Sequence, residues 1–179
     1  MASPTDTRTL TTTALLTAMA LAVQYLESLL PPILPGIPVR IGLANIFVLL
    51  PLLARRKGAA AAISLLRCLL LPLITGNVSG LPYALAGSAA SLLGMLSLLP
   101  PYRAGRVGAV GVSVAGAFLF NMGQLAVGVC VAGKAMLAYV PWMGLCSIPA
   151  GVATGLLAAL LKKRLRYDSV VTVPNDTSV

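Results

Sequence analysis

Histidine is absent from the 179 residues, and only four side chains are acidic: Asp6, Glu27, Asp168 and Asp176. Without histidine, the usual zinc ligand sets and His-based acid–base mechanisms are excluded. All three aspartates lie in the terminal segments. An Asp-rich, Mg²⁺-binding segment of the kind diphosphate chemistry uses is therefore missing. No Gly-rich phosphate loop of the Walker type is present. The chain is thus expected neither to hydrolyse ATP nor to build prenyl chains itself, and no cofactor or metal is expected. Cysteine is scarce too: Cys68, Cys130 and Cys146 form no CxxC and lie within apolar runs, as small buried thiols do.

Charge of any kind is what the chain has least of. Charged residues make up 9% of it, against about a quarter in soluble domains. With 58% apolar residues, too few charges remain to coat a water-facing surface. The net charge of +9 does not point to nucleic acid. Its residues sit in short clusters at the ends of apolar runs: Arg55-Arg56-Lys57, Arg103 with Arg106, and Lys162-Lys163-Arg164 with Arg166. Membrane proteins mark their cytoplasmic loops this way, and the interleaved aromatics of a single-strand binder are absent.

A spanning helix needs about 20 mostly apolar residues. Six apolar runs are present, about Leu10–Leu30, Ile41–Ala54, Ala59–Ile74, Leu81–Leu99, Val107–Ala132 and Val140–Leu161. The first continues past the length of a signal peptide and is read as a retained span. Pro31, Pro32, Pro35 and Pro38 stiffen the first connection, Thr75 to Gly80 breaks the third, and Pro100-Pro101 ends the fourth. The second and third runs are short, as spans shielded by neighbouring protein are, and four or five helices is the alternative count. The expected organisation is a cytoplasmic segment 1–9, a six-helix membrane domain 10–161, and a basic then disordered cytoplasmic tail 162–179. Six spans with the N-terminus inside place ten of the 13 basic residues in the cytoplasm and leave Arg40 and Lys134 outside. That bias predicts an all-α membrane bundle with both termini cytoplasmic.

Two charges fall well within spans, Glu27 near the outer end of the first helix and Arg67 near the middle of the third. Such charges are costly and need a reason. Gln24 lies one turn below Glu27, Arg40 opens the second helix, and Asn45 follows one turn in. Asn121 and Gln124 share a face of the fifth helix, and Tyr83 stands beside the outer break between the third and fourth. These groups, Glu27, Arg40, Asn45, Arg67, Tyr83, Asn121 and Gln124, form a candidate small-molecule site in the outer half of the bilayer. Helix-to-helix polar packing, including a Glu27–Arg67 ion pair, accounts for the same residues. Ala14, Ala18 and Ala22 line one face of the first helix, and Gly151 and Gly155 form a GxxxG in the sixth. Such faces serve either close packing within the bundle or docking to a partner.

The stretches Tyr25 to Pro32, Gly42-Leu43-Ala44-Asn45, Ser64 to Arg67, Tyr83 to Gly87, and Val114 to Gly116 with Asn121 to Leu125 resemble one membrane family. It is labelled heptaprenyl diphosphate synthase component I, and also the Gx transporter family. More widely it resembles the substrate-binding (S) component of energy-coupling-factor transporters. That resemblance implies six helices, capture of a vitamin-like nutrient or a cofactor or quinone precursor near the outer face, and docking through small residues such as Ala14, Ala18 and Ala22. The implied partners are a coupling membrane subunit and two cytoplasmic ATPases. The synthase label implies instead a non-catalytic subunit beside a catalytic prenyl synthase.

Overall fold

A computed structural model describes residues 4–29 and 42–164. Helices and short turns between them make up the described residues, with no strand among them. The helices are α1 (Pro4–Leu29), α2 (Ile46–Leu53), α3 (Lys57–Thr75), α4 (Leu81–Ser97), α5 (Leu99–Arg103), α6 (Ala109–Ala132) and α7 (Val140–Arg164). Short 3₁₀ turns, Leu43–Asn45, Val78–Gly80 and Lys134–Tyr139, lead into α2, α4 and α7.

Five helices are long and apolar enough to cross a membrane. The chain is accordingly a multi-pass membrane protein. The six full spans expected from the sequence become five and a short one. The short one, Leu43–Leu53, rises only about 16 Å at 1.5 Å per residue, half the hydrocarbon thickness. The fourth helix ends at Ser97, close to Pro100 and Pro101 as expected. The two prolines then sit in the first turn of the short α5, after Leu99, because a first turn needs no N–H from its leading residues. The proline connection before helix 2, Arg40 and the tail from Tyr167 lie outside the described residues.

The long helices pack in the order α1, α3, α4, α6, α7, and α2 lies against α1, α3 and α7. Every residue of α2 from Ile46 to Leu53 is buried. Around it Ala20, Met95, Leu99, Val112 and Ala158 form one core. The outside is apolar, with Leu65, Leu73, Leu93, Leu145 and Leu160 more than half exposed, as a surface solvated by lipid tails allows.

Backbones approach most closely among α4, α6 and α7. A Cβ on Gly123 would meet the Ala86 carbonyl oxygen at 2.6 Å, and one on Gly87 the Phe120 oxygen at 2.8 Å. A Cβ on Gly151 would stand 2.4 Å from Val114 Cα, and on Gly155 2.6 Å from Val110 Cα. The GxxxG of α7 is thus internal packing against α6. Hydroxyls tie these faces further, with Ser113 and Thr154 at 2.6 Å between α6 and α7. Between α3 and α4, Cys68 Sγ and Ser88 Oγ stand 2.7 Å apart.

The basic clusters gather at one end. Arg56 Nη1 donates to Thr9 Oγ1 at 2.9 Å, near the start of α1. Lys162 Nζ lies 5.8 Å from the Tyr102 ring centroid, within cation–π range. Leu53, Leu99 and Leu161 share the core beneath.

Gly123→Val is expected to destabilise the bundle by about 1–3 kcal/mol, the scale of overpacking, because the obstructing atoms are backbone. Gly58, with nothing within 4 Å of an added Cβ, should accept alanine with no loss. Thermal unfolding in detergent separates the two.

Candidate functional site

At the end of α2 away from the basic clusters, Gln24 and Glu27 from α1, Gly42, Ala44 and Asn45 from the entry to α2, Arg67 from α3 and Phe120 from α6 enclose one small cavity. Its volume is about 10 Å³, enough for one water molecule.

Local structure sets each group. Gly42 has φ 75°, a left-handed conformation that glycine reaches without a Cβ penalty. The chain turns there into the helix and aims the Leu43 N–H at α1. Glu27 Oε1 accepts from that N–H at 2.5 Å. A helix start has N–H groups without intrahelical partners and a partial positive charge, so a carboxylate is favoured there. Arg67 is 3% exposed, and its Nη2 donates to Asn45 Oδ1 at 2.5 Å. A guanidinium so deeply buried persists only where acceptors surround it. Asn45 lies on the last residue of the 3₁₀ turn, which faces α3 across the cavity. Gln24 is 5% exposed, and its Oε1 accepts no hydrogen bond from the protein.

Glu27, Asn45 and Arg67 thus line one cavity, and α1 packs against α3. Asn121, Gln124 and Tyr83 do not line this cavity. Asn121 points to α7, donating to Ser147 Oγ at 2.8 Å and to the Met143 carbonyl at 3.4 Å. Gln124 is buried against α4, its Cγ 2.9 Å from a Cβ placed on Gly87. Tyr83 is partly buried near Gly128. These three serve the α4–α6–α7 contacts, because i and i+3 on α6 face two different neighbours. Arg40 is outside the described residues. Gly42, Phe120 and Ser147 were not singled out by sequence; the Gly-Leu-Ala-Asn run held the first, and nothing in the pattern marked the other two.

The arrangement holds a positive group, a helix start and polar amides within an apolar frame. It has the composition of a binding pocket, with interior room for about one water. Ala14, Ala18 and Ala22 are exposed, while Thr17, Ala20 and Gln24 face inward. The alanine face therefore does not pack within the bundle. Among the described residues no group of His, Cys, Asp and Glu clusters as a metal site would.

A family model described as heptaprenyl diphosphate synthase component I matches residues 16–161. No curated protein and no solved structure matches the chain.

Asn45→Leu is expected to cost about 1–3 kcal/mol or more, since it takes an acceptor from a buried charge. Gln24→Leu should be neutral or mildly stabilising, because it removes a buried acceptor with no protein partner. Melting the two variants side by side in one detergent tests the contrast. Equal losses would mean that the Arg67–Asn45 contact carries no special weight.

Proposed function

The chain belongs to the heptaprenyl diphosphate synthase component I family, and on that premise we propose that it is the non-catalytic membrane component of an assembly whose chemistry is carried by a partner protein. The family match across the membrane domain carries this reading, and its name makes a prenyl diphosphate synthase the first partner to test. The composition agrees. The only aspartates are Asp6, Asp168 and Asp176, so Mg²⁺-assisted diphosphate chemistry belongs to the partner. The chain holds that partner at the membrane, with the basic end and both termini in the cytoplasm of a bacterial-type cell.

A second reading is favoured by the cavity. A buried Arg67 with Asn45, Glu27 and Gln24, at the end of the bundle opposite the basic clusters, suits capture of a small nutrient or precursor from outside. In that reading the partner is a coupling membrane subunit with two ATPases, and the exposed Ala14, Ala18 and Ala22 form the docking face.

Affinity purification of the full chain from its own membranes separates the readings. Co-purification of a prenyl synthase whose activity rises with this chain supports the first. Co-purification of a coupling subunit and ATPases instead overturns it and supports the second. A bulky double variant, Ala14→Leu with Ala18→Leu, should fold as the parent does, since both positions are exposed, yet lose most of the recovered partner, because close backbone approach no longer fits. Undiminished recovery would remove α1 from the docking surface under either reading.

A further inference from the structure

We propose that the start of α2 is an anion site that Glu27 fills from within, and that the ligand is a small anion bearing its own hydrogen-bond donor, which takes the place of the Glu27 carboxylate. The proposal deepens the second reading above and rests on the cavity being a binding site.

Three observations converge. The Leu43 N–H opens an apolar helix that runs to Leu53, and it is directed at Glu27 Oε1. Arg67, buried and lining the same cavity, adds a full positive charge beside the partial one of the helix start. An anion there meets both, with little water to screen them. Independently of these, Gln24 Oε1 lines the cavity, is buried, and accepts no hydrogen bond from the described residues. A carboxylate cannot donate to it. A ligand with an O–H or N–H beside its anionic group satisfies Gln24 and the cationic pair together.

The volume then sets the mode of entry. A cavity of about 10 Å³ has no room for an anion beside Glu27. The anion enters only by exchange. Glu27 is placed for that. It is partly exposed, two residues from the end of α1, and its neighbours Leu26 and Ser28 are exposed. Turning its side chain outward leaves Leu43 N–H and the Arg67 side of the cavity to the newcomer.

The test uses the full chain in phosphate-free maltoside micelles and radiolabelled inorganic phosphate, which at neutral pH carries negative charge and an O–H. Binding is read by equilibrium dialysis. Glu27→Gln keeps the size of the side chain and an acceptor for Leu43, but removes the competing charge. It should bind phosphate about tenfold or more tightly than the parent, the scale of one charge-assisted hydrogen bond. Adding Asn45→Asp places a new fixed carboxylate on Arg67 and should return binding to the parental level or below. Adding Gln24→Leu, which removes no protein hydrogen bond and so keeps the fold, should also weaken it. Equal phosphate binding by parent and Glu27→Gln, or Glu27→Gln binding indifferent to Gln24→Leu, overturns the proposal. Repeating the Glu27→Gln measurement in phosphatidylglycerol nanodiscs identifies the source. Loss of dialysable phosphate there assigns the site to a lipid headgroup, and retention assigns it to a soluble anion. Partner recovery with the parent chain is a separate readout, so failure here leaves the proposed membrane-component role standing.

Discussion

The contact on which the cavity depends is between a guanidinium and an amide, Arg67 to Asn45 at 2.5 Å. In a chain with 9% charged residues, a buried arginine is the most demanding group to accommodate. The effective penalty for burying an ion is several kcal/mol. The bundle offsets part of it with the Asn45 amide oxygen, delivered from the entry to α2. For Asn45 to reach Arg67, the chain must enter α2 through a sharp turn, which Gly42 permits. For Glu27 to cap that entry, α1 must lie beside α3. The short helix, its glycine and the outer end of α1 are thus all placed by the need to surround one side chain.

The rest of the bundle is held by a different principle. Among α4, α6 and α7 the glycines let backbones meet at distances where a single added methyl would collide with main-chain atoms. Lipid offers no hydrophobic drive for helices to associate, so close van der Waals contact and short hydroxyl bonds must supply it. The α4–α6–α7 side is rigid by shape. The α1–α2–α3 side is specified by polar groups. The cavity lies on the seam, lined by α1, α3, the entry to α2 and Phe120 of α6.

Much of this was legible in the sequence, because membrane helices announce themselves by length and apolar content. The runs from Leu81, Val107 and Val140 became α4, α6 and α7 with nearly the expected limits. Charge in an apolar run marked Glu27 and Arg67, and proximity in sequence to the outer end marked Asn45. The misplacement of Asn121, Gln124 and Tyr83 has a plain cause. Helical spacing tells which residues share a face but not which neighbour that face meets, and α6 is flanked on both sides. Ser147 was hidden because a serine in an apolar run looks the same whether it bonds its own helix or its neighbour; here it does both, donating to the Met143 carbonyl at 2.6 Å and accepting from Asn121. The Ala14 stripe was ambiguous between inside and outside until Thr17, Ala20 and Gln24 were seen to hold the inner face.

The complete burial of α2 bears on how the protein is made. A helix of this length, with no side left for lipid, has no stable resting place in a bilayer by itself. Its enclosure draws on Ala20 of α1 and on Ala158 and Leu161 of α7. During synthesis, α2 is produced long before the helix that completes its surroundings. The core therefore closes only once α7 has been made, and a nascent chain that stops before α7 exposes an apolar segment too short to span the bilayer by itself.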